Sequence, residues 1–194
     1  MKTALWFFCM VALGLLGANS NVSAQTLVDS EAMIPLPIET LAGQADLVVA
    51  GVVQSLTVTR DAERRIYTEV ELMVSEVWKG SVASKTIKIV HGGGTLGEES
   101  VEVKGQVVYT PGEEVVVFLV LNKRGQAVTF AMTQGKFEIA RDKATGRKTA
   151  KNPFDPRQSA PANNIKAFNL QKNGALFIED LKSKVWLDKK LPTP

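Results

Sequence analysis

The chain has 194 residues, a formal net charge of +3, one cysteine and one histidine. That length can bury a core as a single domain, and so mild a charge gives no argument for a nucleic-acid partner. A single histidine and a single cysteine, Cys9, remove the usual zinc ligand sets.

Lys2 opens the chain with a positive charge, an apolar run follows from Ala4 to Gly17, and Val22-Ser23-Ala24 supplies small residues for cleavage. This is the pattern of a secretory signal peptide over residues 1–24. The run is shorter than the ~20 apolar residues of a spanning helix, so no transmembrane anchor is expected after cleavage before Gln25. Cys9 lies inside the apolar run, and Trp6-Phe7-Phe8 lacks the small residue that a lipid-attachment signal places before its cysteine. Residues 25–194 then hold no cysteine, which excludes a disulfide framework, a thiolate metal site and a cysteine nucleophile. The mature chain is expected to be exported, periplasmic or extracellular.

Residues 25–37 form an extended lead-in with Pro35 and Pro37, and Pro37 starts a short helix over Ile38 to Ala45. Asp46 to Thr59 reads as a strand, central at first and then half exposed. Arg60 to Arg65 is a charged hairpin loop, and Ile66 to Trp78 returns as a strand. Ile66, Thr68, Val70, Leu72 and Val74 share its core face, and Tyr67, Glu69 and Glu71 its outer face. Lys85 to His91 gives a third strand, Gly92 to Gly97 a loop, and Val101 to Val108 a weak edge strand broken at Gly105. Thr110-Pro111-Gly112-Glu113 has turn composition.

The strongest apolar run, Glu114 to Leu121, is valine-rich and eight residues long, which suits a buried strand. Asn122 to Gly125 turns the chain, Ala127 to Met132 pairs back, and Gly135 to Arg141 leads to a hairpin tip at Ala144-Thr145-Gly146. Lys151 to Asn173 holds three prolines and five asparagines and reads as a surface loop or tether. After Gly174, a helix to Leu187 carries Phe177, Leu181 and Val185 at four-residue spacing, with Ile178 and Trp186 beside them. That stripe is expected to dock on the β domain. The expected organisation is a β domain over 25–150, the loop over 151–173 and the docked helix over 174–194.

The stretches ADLVVAGVV, YTEVELMVSEVWKG, TIKIV and PGEEVVVFL, between Ala45 and Leu119, resemble the tissue-inhibitor-of-metalloproteinase and netrin-module pattern. They also resemble uncharacterised secreted bacterial proteins of the same cadence. The resemblance implies an OB-like Greek-key barrel of about five strands, in a mainly β fold with a short N-terminal and an amphipathic C-terminal helix. The animal inhibitors bind the protease zinc through an N-terminal cysteine. The expected mature start here is Gln25, so that mechanism does not carry over.

His91-Gly92-Gly93-Gly94 invites comparison with an oxyanion loop, which needs a serine on a G-x-S-x-G elbow and a separate histidine base. The sequence has no such elbow, and His91 is its only histidine. His91→Ala is therefore expected to leave any activity intact. The acidic groups Glu98-Glu99-Glu102 and Glu113-Glu114 lack the spacing of a calcium loop. No catalytic residue, metal ligand or cofactor is expected.

Two kinds of partner contact stand out. One is Trp78 at a strand end, which could equally cap the domain. The other is the basic hairpin tip of Arg141, Lys143, Arg147 and Lys148, flanked by Lys151, which suits an acidic polymer or a lipid surface. The expected function is a non-catalytic binding module for an unknown protein or surface polymer. The alternative is a hydrolase built from converging carboxylates.

Overall fold

The computed structural model describes residues 34–143, 145–154 and 176–188. The expected signal peptide, the start of the lead-in, Ala144 of the hairpin tip and most of the expected 151–173 loop lie outside the described residues. The fold is mainly β, with a short helix near its start and a second helix at its end.

Helix α1 (Ile38–Gln44) follows Pro37, buries Leu41 and Ala42, and packs Ile38 against the same cluster. Its C-terminal carbonyls are met by a cation: Lys79 Nζ donates to the carbonyls of Ala42, at 2.6 Å, and Gly43, at 3.1 Å. Strands β1 (Leu47–Arg60) and β2 (Ile66–Lys79) form a long antiparallel hairpin whose register shifts three times. At one shift the chains approach so closely that a Cβ on Gly51 would sit 2.4 Å from the Met73 carbonyl oxygen. The expected core face of β2 is buried at Ile66, Thr68, Val70 and Leu72, and half-buried at Val74.

β3 (Thr86–Gly92) pairs with β2, and β6 (Glu114–Leu121) pairs with the first half of β1, from Leu47↔Leu119 to Val52↔Glu114. β7 (Ala127–Thr129) runs antiparallel to β6 and meets β3 in parallel at Ile89↔Ala127. Beyond β6 the sheet continues through β8 (Lys136–Arg141), β9 (Lys148–Lys151) and β10 (Leu176–Phe177). β4 (Gly94–Leu96) and β5 (Glu99–Val101) form a separate hairpin.

β6 explains why its sequence is apolar on both faces. Val115, Val117 and Leu119 pack with Val49, Val53, Val70, Leu72 and Ile89. Val116 and Phe118 pack with Leu41, Trp78, Phe137, Leu181 and Val185. Each large side chain buried this way contributes roughly 1.5–3 kcal/mol. The docking residues Leu181 and Val185 belong to α2 (Ile178–Asp188), and both are buried.

Five expectations need correction. The strand expected over 101–108 ends at Val101, because Gly105 takes φ 76° and the following residues are held by side chains instead of a ladder. The glycine stretch after His91 is not a plain loop, since it holds the end of β3 and all of β4. The return strand stops at Thr129, where Ala131 and Met132 adopt φ 52° and 55° and lead into a 3₁₀ turn, Met132–Gly135. Phe177 opens no helical stripe but lies in β10. Trp186 is 52% exposed instead of docked: at about 100° per residue it stands a full step round the helix from buried Val185.

Candidate binding groove

The groove begins with the glycines that the sequence placed after His91. Gly93 and Gly94 have φ of 83° and 131°, conformations that side chains rarely adopt. They let β4 cross directly over the β1–β2 hairpin. A Cβ on Gly94 would lie 2.6 Å from Thr68 Oγ1 and 2.9 Å from Val58. The Thr68 hydroxyl donates to the Gly93 carbonyl at 2.8 Å, and the Gly93 N–H donates to the Ile66 carbonyl at 3.0 Å. The Gly93 amide is thus committed to the sheet, and Gly94 pairs with Val101 in the β4–β5 ladder, which leaves this run poorly suited to holding an oxyanion.

After β5 the chain returns across the same end as a strand-free strap, residues 102–109. Val107 and Tyr109 anchor it in the core. The Tyr109 hydroxyl shares a 2.6 Å hydrogen bond with Thr129 Oγ1, and burial raises its phenol above the ordinary range. Thr133 Oγ1 donates to the Gly105 carbonyl at 2.8 Å. Lys136 Nζ, on a side chain only 6% exposed, donates to the Val108 carbonyl at 2.6 Å, pairs with Glu113 at 2.7 Å and lies 5.1 Å from the centre of the Tyr109 ring. Glu113 also accepts from the Thr110 N–H at 2.8 Å. These bonds pin the strap at its middle, Gly105, and at its far end.

Between strap and hairpin lies an open groove of about 700 Å³. Leu56, Val58, Val101 and Val103 wall it, and Thr68, His91 and Tyr109 line its base. Val108 stands at its lip, 72% exposed. The sequence reading set His91 aside and found no groove. The visible signals were the glycine run and the valines at 101, 103, 107 and 108, which read as an edge strand.

The residues singled out earlier lie elsewhere. Trp78 is 4% exposed and packs under the helices, with Nε1 donating to Glu76 Oε2 at 3.0 Å. Its ring is core, which fits the capping alternative for Trp78 and leaves little of the ring exposed for a partner. Arg141 and Lys143 stand exposed at the end of the β8–β9 hairpin. Arg147 stacks 3.6 Å over the Phe177 ring and pairs with Glu179, and Lys148 pairs with Glu114. Half of that basic cluster is therefore occupied within the chain.

The acidic groups are similarly engaged. Glu69 pairs with Lys88, Glu99 with Arg60, and Glu71 accepts from the Ser55 hydroxyl. Among the described residues, the carboxyls clearly displaced from their ordinary range are Asp61, Glu76 and Glu99. All three are lowered, chiefly by Arg65, Lys182 and Arg60 respectively. No protein-family model and no curated protein matches the sequence.

Proposed function

We propose that this chain is an exported, non-catalytic binding module that engages its partner through the strap-covered groove, on an OB-like Greek-key barrel. The barrel reading is supported by the pairing order, which runs β1-β2-β3-β7-β6 and returns to β1. The likeness to the netrin-module pattern is proposed with it. The observation that carries the binding role is the groove itself: aliphatic walls, a polar base and valines left open to solvent, beside a strap pinned at Gly105 and from Val107 to Tyr109. The carboxylate-hydrolase alternative needs a raised carboxyl, and the displaced ones all move the other way.

The test is a crosslinking pull-down with the tagged chain in its native envelope fraction. A Val103→Asp/Val108→Asp variant, checked for an unchanged melting curve, runs beside it. We expect one dominant partner, captured about tenfold less by the variant, as a loss of ~1.4 kcal/mol of apolar contact requires. Equal capture by both chains, or no partner and a free monomer, would overturn the proposal.

A further inference from the structure

His91 Nε2 is the one buried side-chain nitrogen or oxygen among the described residues that has no hydrogen-bond partner. Its other ring nitrogen, Nδ1, lies 3.1 Å from the Gly92 carbonyl oxygen, which only accepts. In the neutral ring the proton therefore sits on Nδ1, and Nε2 is an unfilled acceptor. The donors nearby are turned elsewhere: Thr68 gives its hydroxyl proton to Gly93, Tyr109 and Thr129 bond to each other, and Lys136 is held by Val108 and Glu113. Glu102 and Lys104 stand exposed on the strap side of the groove; His91 Nε2 is the buried acceptor of the lining, and no described residue fills it.

Resting on the groove reading, we infer that the group entering the groove is a phenol: a tyrosine side chain of the partner protein, donating its hydroxyl to His91 Nε2. A neutral donor suits it, because a carboxylate offers an acceptor to an acceptor, and an ammonium buried at Nε2 would find no carboxylate among the groove's buried lining residues. The body must be apolar to suit Leu56, Val58 and Val101. The donor must also stand at the tip of that body, since Nε2 is buried at the base. A phenol carries its O–H there, whereas an indole carries its N–H on the flank. Nε2 is shielded from solvent, so the entering ring must displace part of the groove lining to reach it.

His91 is the only histidine, so its ring nitrogens give an unambiguous NMR signal. The purified intact chain, labelled with ¹⁵N and at valine methyls, is titrated with p-cresol, the tyrosine side-chain analogue, and with toluene. Both probes should shift the Val101 and Val103 methyls. Only p-cresol should move the Nε2 resonance, and it should bind about three- to tenfold more tightly, the worth of one neutral hydrogen bond. In His91→Leu the two probes should bind alike, and in the unaltered chain p-cresol added before the crosslinker should lower partner capture more than toluene. Methyl shifts from both probes without an Nε2 response would sink the phenol and leave the groove standing. No methyl shift from either would sink the groove reading as well. Shifts at Val90 and Val128 instead would place the phenol in the smaller cavity on the other side of His91 and overturn the assignment. Should His91→Leu fail to fold, the comparison in the unaltered chain decides alone.

Discussion

Val117 and Phe118 are neighbours on β6 and both are fully buried, yet what covers them differs. Over Phe118 lie two helices, with Phe137, Leu41 and Leu181 filling the space, and the cover is closed by long side chains at its edges: Lys79 to the end of α1, Lys184 to Glu39, and Lys182 to Glu76. On the Val117 side the strands pack against one another, and the end of that core is covered only by the strap. A helix satisfies its own backbone bonds and offers a continuous apolar face, so it seals. A strand-free strap must borrow donors from Thr133 and Lys136, and between those points it leaves room. The difference separates a side that stabilises from a side that receives.

The sharpest way to break this comparison is to truncate one residue on each side. Phe118→Ala should cost about 3–5 kcal/mol in urea unfolding, as large-to-small changes at fully buried sites do. Val103→Ala should stay within about 0.5 kcal/mol. Equal losses would mean that the groove side is packed as tightly as the helix side. Lys136→Met comes next. It leaves the Val108 carbonyl and the Glu113 carboxylate without their cation, for about 2–3 kcal/mol. Amide exchange should quicken about tenfold over residues 105–110 while α1 and α2 keep their protection.

Gly94→Ala should cost about 2 kcal/mol through a disfavoured φ and the overlap with Thr68 and Val58. Exchange should report the loss first in β4 and the strap. The smallest effect is on the helix side and depends on pH. Lys182 holds the Glu76 carboxyl below its ordinary 4.5, so the pair stabilises above that value and the contribution fades as pH falls through the lowered one. Both groups are substantially solvated, so Glu76→Gln should cost no more than about 0.5 kcal/mol at neutral pH. The gap to the unaltered chain should close in acid. A gap that widened in acid would contradict the assigned pairing.

Much of the strand order was legible because β6 and β2 carry their burial in their residues. Glu114 to Leu121 can satisfy an eight-residue valine run only as a strand covered on both faces, and the alternation from Ile66 to Leu72 fixes which side of β2 is wet. β9 was not legible. Its Thr149 and Ala150 are buried, but Lys148 to Lys151 shows no apolar period, and its position depends on pairing with β8 and β10. Trp78 left two readings open because an aromatic at a strand end looks the same whether a helix or solvent lies beyond it. The groove was hidden for a related reason. Residues 101–108 have strand-like valines, and only the turn at Gly105 and the distant partners Thr133 and Lys136 make them a strap.

The pairing of Lys184 with Glu39 joins residues 145 apart in sequence, and it sets an order of events in time. Leu41 stays uncovered until Leu181 and Val185 have emerged and docked, so most of the chain must be made before one of its two cores can close. Contacts of such range slow folding. For the export proposed above, that delay would keep the chain threadable while a membrane is crossed.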